Sequence, residues 1–356
     1  MRKILFFSLV FLVVFSVNCS KKKWEGRIYE EQGVRVVESR GSGLWGEKSE
    51  KKIKFKEELS LGVEEGEESL VFYGYPGVAV DPELNIFVLD TRNHRLLKFD
   101  KMGRFIWKTG RRGQGPGEFQ NPSQVEINPS GDICILDGSS RLHFFDTEGN
   151  YQKTIKPKTR IRSFHFLPDK RLFLNISVSG QMGVAAEYYS NDGEFLEKFP
   201  DEHRYGPKIP GGVSSGEEFR FLGSQIYLSL PSIYEIREYD LDGLLLRKIK
   251  RDITLKPPEI DVFEKGLSAS FYDRSGPCYL YRGNTLINEL LLAEKKNEEE
   301  YTYKRVLDFF NEKGQFLGTY NLPQSTRLAL IDSENKFYFV QSEPYPRIIR
   351  SSSNIK

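Results

Sequence analysis

A short turn recurs along this chain and narrows what it can become. It reads Asp100-Lys-Met-Gly103, Asp146-Thr-Glu-Gly149, Ser190-Asn-Asp-Gly193, Asp240-Leu-Asp-Gly243 and Asn311-Glu-Lys-Gly314, with the glycines 46, 44, 50 and 71 residues apart. Asp, Asn or Ser at the first position can accept bonds from nearby backbone N–H groups, and Gly at the fourth supplies a positive φ. An apolar run precedes each turn and another follows it, as in Leu142–Phe145 and Tyr151–Ile155. Each turn therefore closes a β-hairpin. The clearest unit spans Tyr75 to Pro122. It holds four β-rich runs, Gly77–Asp81, Ile86–Asp90, Arg95–Asp100 and Arg104–Gly110, separated by turn residues. That spacing predicts an antiparallel four-stranded meander. A period of about 45 residues with four strands per unit predicts propeller blades.

The expected fold is all-β: a six-bladed β-propeller with four antiparallel strands per blade. Blade one is Gly77–Gly110, blade two Gln124–Ile155, blade three Ile161–Phe199 and blade four Phe219–Ile249. Blade five runs from about Ala269 to Tyr320, and its extra length is assigned to an inserted or extended hairpin with its tip at Lys295–Glu300. The sixth unit has three strands, Arg327–Ile331, Lys336–Val340 and Arg347–Arg350, before the chain ends. The stretch Ile53–Leu61 supplies the missing strand, which closes the ring and leaves no open sheet edge. The runs alternate only weakly, as expected when both faces of a blade pack against neighbours. Arg27–Glu30 and Val34–Val37 flank Gly33 and read as a small extra hairpin with no fixed position.

The N-terminus reads as a targeting segment. Met1–Lys3 is basic and Ile4–Val17 almost wholly apolar, which is signal-peptide length and short for a membrane span. Ser16-Val-Asn-Cys19 resembles the lipobox of bacterial lipoproteins, which implies cleavage before Cys19 and lipid attached to it. Asn18 stands where Gly or Ala is usual and Ser16 where Leu is typical; a plain secretory signal is the other reading. The expected division is a signal peptide over 1–18, a tether and candidate small hairpin over 19–50, and the propeller over 51–356. The location expected is periplasmic or outer-surface, anchored to the membrane.

Formal charges are 52 Lys+Arg against 50 Asp+Glu, and removal of Arg2 and Lys3 with the leader leaves 50 of each. No basic excess points to nucleic acid. Cys134 and Cys278 fall in blades two and five. Export would permit a disulfide, but that separation favours two buried thiols.

Pro76–Asp81, Ile86–Arg95, Phe99-Asp100 and Gly103 together resemble an NHL repeat, with Gly110–Phe119 and Asn121-Pro122 as the usual link to the next repeat. With the leader and Cys19, the chain resembles the six-bladed β-propeller lipoproteins of bacteria. The likeness is strong over blades one and two and rests elsewhere on the turns and flanking strands. It implies no general activity. Other NHL-type propellers bind proteins or RNA, and a few relatives are lyases or lactonase-like enzymes.

Several motifs invite a chemical role. Gly110-Arg-Arg-Gly-Gln-Gly-Pro-Gly117 looks like a phosphate loop, yet it leads into a strand and lacks the terminal Lys-Ser or Lys-Thr, so it reads as a blade link. Asp90 and Asn93 are expected to brace a tight turn, and Arg95 to pair with a carboxylate. Arg92 and His94 in that turn, and Arg111 and Arg112 in the link, emerge on one face of the meander and form the candidate binding face. A channel metal needs several converging ligands. Of the four His, only His165 on an inner strand can approach the channel, joined by Glu126; His143 is expected between blades and His203 in a loop. Ser177-Val-Ser-Gly180 lacks the glycines of a nucleophile elbow. No cofactor or metal is expected. The functional expectation is a non-catalytic scaffold for a protein, peptide or glycan partner at the cell envelope. The alternatives are a metal-dependent hydrolase or lyase in the channel and, more weakly, a polyanion binder on the Arg-rich rim.

Overall fold

The computed structural model describes residues 23–128, 130–138, 140–177, 181–200, 203–208, 218–230, 233–255, 259–263, 266–270, 273–296 and 301–355. The leader, Cys19 and the segment around Ser179 lie outside them.

Six sheets stand in a ring, each built on four antiparallel strands in meander order. Blade one comprises Gly77–Val80, Ile86–Asp90, Arg95–Phe99 and Phe105–Thr109. Blade two comprises Pro122–Ile127, Ile133–Asp137, Arg141–Phe145 and Tyr151–Ile155. Blade three has Ile161–Phe166, Leu172–Ser177, Gln181–Tyr189 and Phe195–Lys198; blade four has Glu218–Leu222, Gln225–Leu230, Glu235–Tyr239 and Leu245–Arg251. Blade five has Arg274–Tyr281, Thr285–Lys295, Tyr301–Phe310 and Phe316–Asn321. Blade six has Thr326–Ile331, Phe337–Gln341 and Arg347–Ser353, and its fourth strand is Phe55–Leu61, paired antiparallel with Arg347–Ser353. Each first strand touches the first strands of both neighbouring blades, so the ring is closed.

The core explains the weak alternation. Six apolar clusters lie one at each blade interface. In blade one, Ile86 and Val88 face blade six, where they meet Tyr338, Val340 and Ile348. The intervening Phe87 and Leu89 face blade two and meet Ile133, Ile135 and Phe145. Every residue of Ile86–Asp90 and of Ile133–Asp137 is consequently buried. Each apolar side chain buried this way contributes about 1.5–3 kcal/mol.

The recurrent turns are as expected. Gly103, Gly149, Gly193, Gly243 and Gly314 all have φ between 77° and 87°, and each donates its N–H to the carbonyl of the first turn residue. Asp100, Asp146 and Asp240 use Oδ1 to accept the N–H groups two and four residues on.

The structure also departs from the sequence reading. Blade five begins at Arg274, and Ala269 belongs to a separate hairpin, Glu259–Phe263 with Gly266–Ser270. The expected hairpin extension is present: its strands run to Lys295 and resume at Tyr301. His203 opens a further strand, His203–Lys208, which pairs with the third strand of blade three and is not a loop. The N-terminal hairpin, Gly26–Glu31 with Val34–Ser39, lies parallel against Leu245–Arg251 and widens blade four outward to six strands. From there the chain runs along blade five. Trp45 N–H donates to the Leu317 carbonyl at 2.7 Å, the Trp45 ring sits 5.3 Å from Phe309, and Ser49 Oγ donates to Thr319 O at 2.9 Å. Residues 26–61 therefore form a belt across the outer edges of blades four, five and six.

Candidate ligand cavity on the propeller axis

Antiparallel order within a blade puts three features on one face of the ring: the start of the first strand, the turn between second and third strands, and the link between blades. The register of blade one shows this, with Gly77 opposite Leu89 and Asp90 opposite Arg95. Arg92, His94, Arg111 and Arg112 all lie on that face.

The four differ in exposure. Arg92 and Arg112 are exposed. The Arg111 side chain is 82% exposed and donates from Nε to Glu118 Oε1 at 2.7 Å. Glu118 also accepts the Gly115 N–H, and these two bonds hold its carboxyl below the usual range. His94, placed by the sequence on the candidate binding face with Arg92, is half-buried at φ 53°, and its Nδ1 is buried without a partner. Tyr73 and Tyr75 are more than half exposed nearby. Arg327 stacks 5.8 Å over the Tyr75 ring.

Asp90 and Arg95 brace this face. Asp90 accepts the Tyr73 N–H at 3.1 Å, Asn93 Nδ2 at 2.8 Å and Arg95 Nε at 3.0 Å. Arg95 also reaches Glu68 and the carbonyls of Glu68 and Val71. Asp137 repeats the arrangement in blade two, accepting the N–H groups of Gln120 and Asn121 and the guanidinium of Arg141. In both blades a buried carboxylate ties the incoming link to the second strand.

The first strands enclose a cavity of about 960 Å³ on the axis. A second, of about 330 Å³, shares Glu126, Phe166, Arg220 and Tyr279 with it. Five arginines line the larger one: Arg162, Arg220, Arg274, Arg305 and Arg327. Its four carboxylates are already engaged. Asp81 accepts from Asn85 N and Nδ2, and Asp332 from the N–H groups of Glu334 and Lys336. Glu126 Oε1 lies 2.7 Å from His165 Nδ1 and accepts Gln124 Nε2. Glu289 accepts Arg305 at 2.8 Å and the Leu328 N–H at 3.0 Å. Burial raises the Glu289 and Asp332 carboxyls above their ordinary values despite those bonds.

His165 is thus committed at both nitrogens, since Nε2 lies 3.0 Å from the Phe219 carbonyl. The expected meeting of His165 with Glu126 occurs, as a pair that links blades. Among the described residues no three His, Cys, Asp or Glu group together to hold a metal ion. His143 sits between blades, 2% exposed, with Nδ1 on Thr154 Oγ1. Cys134 and Cys278 are free and buried, and burial pushes the Cys278 thiol up to about 12.

Sequence reasoning missed the channel arginines. A faint signal was present: Arg162, Arg220, Arg274 and Arg327 recur at 58, 54 and 53 residues, each within the first three positions of a first strand.

Fold and cavity together define a six-bladed β-propeller. The chain belongs to the family described as 6-bladed beta-propeller (DUF5128), whose model matches residues 80–265. Among curated proteins, Protein brain tumor of Drosophila melanogaster is 39% identical over 80 residues, 22% of this chain. The chain spans only 7% of that protein's length. Among solved structures, a member of the duf4221 family from Bacteroides vulgatus superposes with a TM-score of 0.61 at 12% identity, over 85% of this chain and 99% of that one. A Bacteroides fragilis protein provisionally described as exported gives 0.60 at 11% identity, over 90% and 99%. At these identities the likeness is one of fold.

Proposed function

We propose that this chain is an exported, lipid-anchored propeller of the NHL type. It acts as a non-catalytic scaffold that binds a protein, peptide or glycan partner at the cell envelope. The observation that carries this reading is the face described above, where Tyr73, Tyr75, Arg92, Arg111 and Arg112 stand exposed on a braced framework. Loops set on a rigid ring suit recognition. Exposed tyrosine and arginine are the residue types that dominate binding energy at interfaces. The paired use of Asp90 with Arg95, and of Asp137 with Arg141, supports the NHL assignment of blades one and two. The leader and Cys19 support export and anchoring.

Two experiments test it. Radiolabelled lipid precursor is expected to enter the wild-type chain and not Cys19→Ala, which leaves the membrane fraction. Purified protein is expected to bind members of a panel of envelope glycans and peptides, with affinity lost in Arg92→Ala/Arg111→Ala/Arg112→Ala. Binding that survives the triple substitution places recognition elsewhere. Turnover of a panel ester or glycoside that ceases on metal removal would replace the scaffold reading with the hydrolase one.

A further inference from the structure

We infer that the axial cavity is an anion-binding site, built to take a carboxylate, phosphate or sulfate group of a small or terminal ligand. This deepens the scaffold reading and rests on it for the claim that the propeller binds ligands at all.

The first observation is the distribution of charge. Arg162, Arg220, Arg274 and Arg327 come from the first strands of blades three, four, five and six, four consecutive blades. Blades one and two face them with Val78, Val80, Ser123 and Val125 and with the already engaged carboxylates of Asp81 and Glu126, and no cation from these two blades lines the cavity among the described residues. One arc carries the first-strand arginines, and the other carries no cation. An anionic group is therefore expected to seat against the arc of blades three to six.

The second observation is what the charged groups do with one another. The carboxylates of the cavity are taken up by turn N–H groups, by His165 and by Arg305, as described. Two of the arginines keep a donor without an acceptor. Nη1 of Arg162 and Nε of Arg327 are buried and have no hydrogen-bond partner. A buried guanidinium donor without an acceptor costs about 1–3 kcal/mol or more. A carboxylate or phosphoryl oxygen arriving in the cavity would satisfy those donors with charge-assisted bonds, the strongest class available to a side chain. Arginine presents a fixed fork of donors suited to planar and tetrahedral oxyanions, and a lysine would not.

The third observation concerns access. Arg162, Arg274 and Arg327 lie at or next to the beginning of their strands, on the same face as Arg92, Arg111 and Arg112. Arg327 spans the two zones. It lines the cavity, donates from Nη2 to the Pro76 carbonyl at 3.4 Å and stacks over Tyr75 on the rim. A partner seated on the rim can present an anionic group to the cavity.

The test is calorimetric titration of the full-length chain in detergent at low ionic strength, where such pairs are least screened. The probes are citrate, inorganic pyrophosphate and sulfate, which separate polycarboxylate, phosphoryl and sulfate sources. At least one is expected to bind at one site per chain. Arg162→Gln and Arg327→Gln should each weaken it about tenfold or more. Arg104→Gln, an exposed arginine in a turn away from the cavity, should bind like wild type. If a Gln variant fails to fold, Arg162→Lys keeps the charge and should still lose affinity through loss of the fork. No binding of any probe at about 10 mM, or binding indifferent to both cavity arginines, overturns the inference. Failure here with glycan or peptide binding intact removes only the anion site. Anion binding without any panel partner removes the scaffold reading and leaves the site.

Discussion

Gly149 of blade two stands against the indole of Trp107 in blade one: a methyl group added to Gly149 would lie 3.1 Å from three ring carbons. The same relation recurs around the ring. Gly103 abuts Leu59 and Leu61, Gly193 abuts Ile155, Gly243 abuts Phe199 and Pro200, and Gly314 abuts Ile249. Each partner belongs to, or directly follows, the fourth strand of the preceding blade. The turn glycine thus serves two purposes, a positive φ and a close approach between blades. Gly138 separates them, because its φ is 61° and nothing lies within 4 Å of an added methyl. Gly138→Ala is expected to cost about 1 kcal/mol, the backbone term alone. Gly149→Ala should cost about 1–3 kcal/mol more through overpacking. Urea unfolding of the two variants measures the difference, and equal costs would refute the packing role.

That double duty explains why the fold was legible in the sequence and the cavity was not. Five turns with Gly at a fixed offset announce five hairpins. The sixth turn is missing because the ring is closed at that place by Arg347–Ser353 pairing with Phe55–Leu61, strands from opposite ends of the chain. Backbone constraints of this kind act over four residues and leave a local signature. The cavity arginines act through the ring, where positions more than 50 residues apart become neighbours, and no local rule marks them. Likewise the hairpin at Gly26–Ser39 was visible, but its docking on blade four depends on a parallel pairing more than 200 residues away in sequence. His203 was misread as a loop because its strand is an added partner to an already complete meander.

His165 ties three blades together through Glu126 in blade two and the Phe219 carbonyl in blade four. Its side chain is 7% exposed. His165→Ala leaves the Glu126 carboxylate without its closest partner at the cavity wall, and a loss of about 2–4 kcal/mol is expected. Glu126→Gln should cost less. In a double-mutant cycle the two should couple by about 0.5–3 kcal/mol. Strictly additive effects would show that the pair contributes nothing.

Asp137 offers a pH-dependent test. Burial alone would raise its carboxyl, but His143, the N–H groups of Gln120 and Asn121 and the charge of Arg141 together hold it below the ordinary aspartate value. A depressed folded-state value means the carboxylate's contribution is present above the unfolded value and is lost as pH falls through the folded one. Asp137→Asn removes the contribution at every pH and leaves Arg141 without its charge partner. The variant should be less stable by about 2–4 kcal/mol at neutral pH. The gap in melting temperature should narrow as pH drops below the ordinary carboxylate range. A gap that stays constant or widens in acid contradicts the assignment.

Ring closure makes the last prediction, and it separates the belt from the clasp. Residues 26–39 add strands to the outside of blade four, which is already a four-stranded sheet. Phe55–Leu61 is the fourth strand of blade six, and it buries Leu61 among Tyr338, Val340 and Ile348. Deleting residues 1–40 removes Val36 and Val37 from the core and should lower stability while leaving a monomeric propeller. Deleting residues 1–62 exposes the full edge of Arg347–Ser353, an unpaired strand able to accept another chain. Size-exclusion chromatography should show dimers or aggregates for the longer deletion only. A synthetic peptide of residues 53–62 added in excess should restore the monomer by occupying the vacant edge. If the longer deletion stays monomeric with an unchanged melting temperature, closure through Phe55–Leu61 does not hold the ring together.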